Sequence, residues 1–164
     1  MIPEEYSRWI ESFPHREISF GYGGMKLFSL EEIDEGQVGY SHSAEGESFC
    51  DGRQGSWNPT WIVIGYDTFL DNPFILDTSN SMLPVMTAMH GEGAWNPNLI
   101  SASLAAFALA VETVRQLSVG REYPVALEQN PLTVEERDQA LKTIQQANGN
   151  EIDIEFWALM LGTE

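Results

Sequence analysis

A chain of 164 residues with a 43% hydrophobic content has the length and apolar fraction of one globular domain, able to bury roughly 68–70% of its unfolded surface. Its 8 basic residues against 25 acidic ones give a formal charge of −17, which disfavours direct binding to nucleic acid or to an anionic membrane surface, because both need clustered Lys and Arg. The lone cysteine, Cys50, leaves no internal disulfide to form and fits a reducing, cytoplasmic setting.

Met1 to Glu5 carries two acids and no basic n-region, so no signal peptide is expected. No stretch reaches the 18 or so apolar residues of a membrane span. Pro3 suits the first turn of a helix, and Tyr6, Trp9, Ile10 and Phe13 fall on one face before Pro14 ends it. Gly21-Tyr22-Gly23-Gly24 is a turn; it lacks the spacing and the closing Lys of a phosphate-binding loop. A short strand is predicted over 25–28. Ser29-Leu30-Glu31-Glu32 then reads as a capping box opening a short helix that ends near Gly36. Residues 41–56 are rich in Ser, Gly and acids, as a mobile surface loop would be.

Trp61-Ile62-Val63-Ile64 is a continuous apolar run and predicts a central strand over 61–65, buried on both faces. Strands over 74–76 and 85–89 follow, and the short connection between them makes them antiparallel neighbours. The main helix is predicted over 101–118, with Leu104, Phe107, Ala108, Val111, Val114 and Leu117 facing the sheet. Residues 119–130 read as a linker with an extended piece over 123–127. Thr133-Val134-Glu135-Glu136 is a second capping box, opening a helix to about Ala147. The apolar residues between Ile152 and Leu161 must dock on something. The expected class is therefore α+β: one mostly antiparallel sheet packed with helices, followed by a C-terminal helical extension over 119–164 docked on the same domain.

No catalytic constellation stands out. His15, His42 and His90 are scattered and outside any zinc-ligand spacing. Asp67, Asp71, Asn72 and Asp77 do not fit a calcium loop. Cys50 lacks an adjacent base motif. No enzyme activity, no metal and no cofactor is expected. Trp9 and Trp61 lie in periodic apolar contexts and are core candidates, whereas Trp57 and Trp95 flank Pro and Gly and are read as part-exposed anchors.

The order of several pieces resembles the SUKH superfamily, which joins a yeast cell-wall-assembly regulator to bacterial immunity proteins. The pieces are the Pro-led helix with Tyr6 and Trp9, Gly23-Gly24, the run from Leu27 to Glu32, Trp61 to Asp67, Phe74 to Asp77, and Pro84-Val85 through Trp95 to Ser101, Ser103 and Phe107. The match covers about residues 3–118. Two positions depart from it: Tyr22 stands where an Asn usually precedes the glycine pair, and Thr68 to Asn72 replace a Gly-Asp turn. The resemblance implies a non-catalytic binder, an immunity protein that blocks a toxin, often a nuclease. An intracellular adaptor or small-ligand module of the same fold is the alternative it leaves open. An acidic inhibitor could cover the basic groove of a nuclease, the charge speeding encounter and selecting the partner. The partner expected is thus a basic protein, a cognate toxin, with a second copy of the chain as a further candidate. The residues expected to meet it are Glu31, Glu32, Asp34, Glu35, Asp67, Asp71 and Glu92, with Trp57 and Trp95 as aromatic anchors.

Overall fold

The structure, a computed structural model, describes residues 1–162. Six strands form one antiparallel sheet in sequence order: β1 (Glu17–Phe20), β2 (Gly23–Leu27), β3 (Trp61–Asp67), β4 (Pro73–Asp77), β5 (Val85–Thr87) and β6 (Asn98–Ser101). The helices are α1 (Glu4–Ser12), α2 (Ile33–Gly36), α3 (Leu104–Ser118), α4 (Pro124–Gln129), α5 (Val134–Asn148) and α6 (Ile154–Met160). The chain is α+β. No described helix is long and apolar enough to cross a membrane.

Successive strand residues point to opposite faces, and both faces of the central strands are apolar. On one face Leu27, Ile64, Phe74, Leu76 and Val85 meet Phe107, Val111 and Val114 of α3 in the main core. On the other, Val63 and Ile75 form a smaller core with Trp57 and Ala88 under the long 37–60 connection. Two glycines permit the tight hairpin stacking. A Cβ on Gly24 would stand 2.0 Å from the Ile18 carbonyl oxygen, and one on Gly65 would stand 2.1 Å from that of Lys26.

Two strands were not anticipated. β1 is short but alternates exposed and buried residues, and β6 begins at an Asn in a stretch that reads as loop. α3 starts at Leu104 rather than Ser101, because the Ser103 hydroxyl caps it by accepting from the Ala106 amide at 3.0 Å. The 123–127 segment is helical rather than extended. Pro124 occupies the first turn, where its fixed φ is compatible with a helix and its missing N–H costs nothing.

Residues 119–162 build into the same core. Leu132, Ala140, Ile144, Ile152, Trp157 and Leu161 share one buried cluster with Leu27 and Ile64. The Trp157 indole N–H donates to the Ile100 carbonyl at 2.8 Å, and the Asp153 amide donates to that of Leu99 at 2.7 Å, so the start of α6 is fastened to β6. Both halves of the Thr133–Glu136 capping box form. The buried Arg121 ties the ends of three helices together. It donates to the Leu117 carbonyl at 2.9 Å and to the Asn130 carbonyl at 2.7 Å, and pairs with Glu136 at 3.2 Å.

Candidate functional site

The acidic step after β2 divides into structural and exposed carboxylates. Glu32 accepts from the Ser29 amide at 2.9 Å and pairs with Lys26 at 3.2 Å. The Ser29 amide first, and Lys26 with it, hold the Glu32 carboxyl below its ordinary range. Glu32 therefore closes a turn, its carboxylate engaged by Ser29 and Lys26 while its side chain stays 45% exposed. Glu31, Asp34 and Glu35 are exposed, and among the described residues no basic side chain pairs with them.

Gln37 anchors this acidic turn to the sheet. Its side-chain amide donates to the Val63 carbonyl and accepts from the Val63 amide, both at 2.8 Å, standing in for a neighbouring strand where β2 has ended. The Tyr40 amide then bonds back to the Gln37 carbonyl at 3.0 Å. That turn delivers Tyr40 into an aromatic cluster. Its ring centroid lies 5.4 Å from that of Trp57 and 5.6 Å from that of Trp95, and Trp57 and Trp95 are 5.2 Å apart, edge to face. Burial pushes the Tyr40 phenol up, with a smaller push from the Asp71 carboxylate nearby.

Of the four tryptophans singled out, Trp57 departs from its expected role. Trp57 is only 2% exposed. It folds under the sheet, donates from its indole N–H to the Trp61 carbonyl at 3.3 Å and packs on Val63 and Ile75. It cannot anchor a partner and instead supports Trp95. Trp61 and Trp9 are half-buried, and so is Trp95. Beside Trp95 lies a hollow of about 370 Å³ walled by Tyr40, Phe49, Trp57 and Gly93, with Asp51 and Arg53 at its edge. Phe49 is exposed, as is Glu92, three residues before Trp95.

Asp67, too, is closed off. It is 6% exposed and its carboxylate accepts from the amides of Phe69 at 3.2 Å, Leu70 at 2.6 Å and Asn72 at 3.1 Å. It shapes the β3–β4 turn and is closed to a partner. Asp71, at the tip with φ +58°, remains exposed. The structure thus leaves Glu31, Asp34, Glu35, Asp71, Glu92 and Trp95 available of the residues expected to bind.

A larger cavity, of about 530 Å³, opens on the helical side of the same turn. Its walls come from the β1–β2 hairpin, the β3–β4 turn, α4 and α6, including Phe20, Phe69, Leu70, Phe156, Leu159 and Met160. Phe69 is 71% and Leu159 67% exposed at its rim. The sequence carries little sign of this cavity. Its one signal was an apolar pair, Phe69-Leu70, inside a turn that polar residues normally occupy.

Among the described residues no three His, Cys, Asp or Glu side chains converge where a metal ion could sit. The Ser41 hydroxyl lies 2.8 Å from His42 Nδ1, but no described carboxylate orients that imidazole as a nucleophile–base pair would need. Comparison with family models, with curated proteins and with solved structures finds no match for this chain.

Proposed function

We propose that this chain is a non-catalytic binding protein, an immunity protein acting in the cytoplasm that neutralises a basic toxin by covering its surface. One observation carries the reading. Exposed carboxylates at Glu31, Asp34, Glu35, Asp71 and Glu92, with which no described basic side chain pairs, accompany a half-buried Trp95 in a chain of net charge −17; Glu92 lies three residues before Trp95 and Asp71 lies near the Tyr40 packed against it. Exposed charge steers encounter over about a Debye length, roughly 8 Å at physiological salt. A desolvated aromatic supported from beneath supplies contact energy at the centre of an interface. Trp57 and Tyr40 give Trp95 that support. The resemblance to the SUKH superfamily adds the toxin as the class of partner, since a nuclease must present a basic groove to nucleic acid.

Co-expression with the neighbouring open reading frame tests this. The expected result is rescue from that product's toxicity and co-purification of the pair. Rescue should be lost when Glu31, Asp34 and Glu35 are all changed to Lys in a protein that still folds. No toxicity, or rescue unaffected by the charge reversal, would refute the reading. The second reading, a small-ligand module, is favoured by the separate apolar cavity.

A further inference from the structure

We infer that the cavity between the β1–β2 hairpin, the β3–β4 turn and helices α4 and α6 is a binding site for a small amphiphile with an apolar chain and a carboxylate head. Its volume of about 530 Å³ lies within the range of small-molecule sites, about 300–1,000 Å³, which are typically apolar with a few polar groups that fix orientation. Here the walls are Phe20, Phe69, Leu70, Phe156, Leu159 and Met160. Two polar groups in the lining are left short of partners among the described residues. The Thr87 hydroxyl is out of water and bonds to none of the described residues. It lies on the face of β5 that carries Val85, opposite Phe74 in the register. A buried hydroxyl left unpaired is costly, and a ligand oxygen would satisfy it once the Thr87 side chain turns toward the cavity.

The second group is Arg137, the cation of the lining. Its Nε donates a long bond of 3.4 Å to the Leu161 carbonyl, and no described carboxylate pairs with its guanidinium. A guanidinium fork matches a carboxylate in shape and charge. The two acids in the lining are already engaged: Asp67 by the three turn amides, and Glu128 by the Tyr22 hydroxyl. They therefore compete little for Arg137. The exposed Phe69 and Leu70 at the turn tip would cover the chain once it is seated.

The test is titration calorimetry of the full chain with decanoate, decanol and decylammonium, each below its self-association limit. The expected result is saturable one-site binding of decanoate, weaker binding of decanol and none of decylammonium. Arg137→Gln should weaken decanoate by at least about tenfold, as expected for a charged hydrogen bond. Thr87→Val, which keeps the shape, should weaken it less and raise the melting temperature of the ligand-free protein. The inference is overturned if wild-type protein shows no saturable decanoate binding, or binds decylammonium equally well. Should Arg137→Gln fail to fold, the head-group comparison on the wild-type protein still decides.

Discussion

Replacing Trp157 with Ala should remove a large part of the folding free energy. The side chain is fully buried, lies edge to face with Phe156 at 5.0 Å and meets Phe107 at 6.2 Å. A Trp-to-Ala change in a core costs about 3–5 kcal/mol. The lost indole N–H also strands the Ile100 carbonyl, at about 1–3 kcal/mol for an unsatisfied buried acceptor. The two effects occupy one site and do not simply add; a combined loss of about 4–7 kcal/mol follows. Against a typical total of about 5–15 kcal/mol, the variant stands near the edge of folding. Trp157→Phe keeps one six-membered ring but loses the donor and the pyrrole half of the indole, so it should cost at least about 1–3 kcal/mol and less than the Ala variant. Urea denaturation followed by far-ultraviolet circular dichroism measures both, with an unchanged slope showing that stability alone has moved. A loss under about 1 kcal/mol for the Ala variant would show that α6 is not built into the main core.

Phe107→Ala, at the centre of the α3–sheet contact, should cost about 3–5 kcal/mol in the same assay. Asp67→Ala removes the acceptor for three turn amides and should loosen residues 68–72, read as faster amide exchange there, with a stability loss of about 1–3 kcal/mol. Glu136 titrates below its ordinary range because the Thr133 amide, and then Arg121, favour its charged form. Its contribution is therefore fully present above the unfolded glutamate value, about 4.3, and is lost as pH falls through the lower folded value. Glu136→Gln should be less stable at neutral pH and lose less on acidification than the wild type, as urea midpoints across that range would show.

The parts of the fold that were legible in the sequence are those where a short-range pattern coincides with burial. The apolar run from Trp61 to Ile64 predicts β3 because a two-sided core demands it, and Thr133 with Glu136 marks the start of α5 because both capping bonds are local. β1 and β6 are four residues each, too short for a period to register, and their pairing partners decide them. Trp57 misleads because the residues beside it are those of a loop. Its burial comes from the 37–60 connection returning under the sheet, a contact that flanking sequence does not encode. Asp67 misleads likewise, since a carboxylate that caps a turn looks the same in sequence as one that faces a partner. The cavity is assembled from a hairpin, a turn and two helices far apart in the chain, so only the Phe69-Leu70 pair pointed to it.

On the proposed reading, exposed carboxylates recruit a basic protein and Trp95 holds it. Stopped-flow association with the toxin recovered by co-expression, followed across ionic strength, tests it most directly. The account predicts that changing Glu31, Asp34 and Glu35 to Lys slows association at least about tenfold at low salt and flattens its salt dependence. Trp95→Ala should instead leave association nearly unchanged and speed dissociation. An association rate at low salt that is the same for the charge-reversed and wild-type proteins would contradict the account and leave these acids as solvated surface alone.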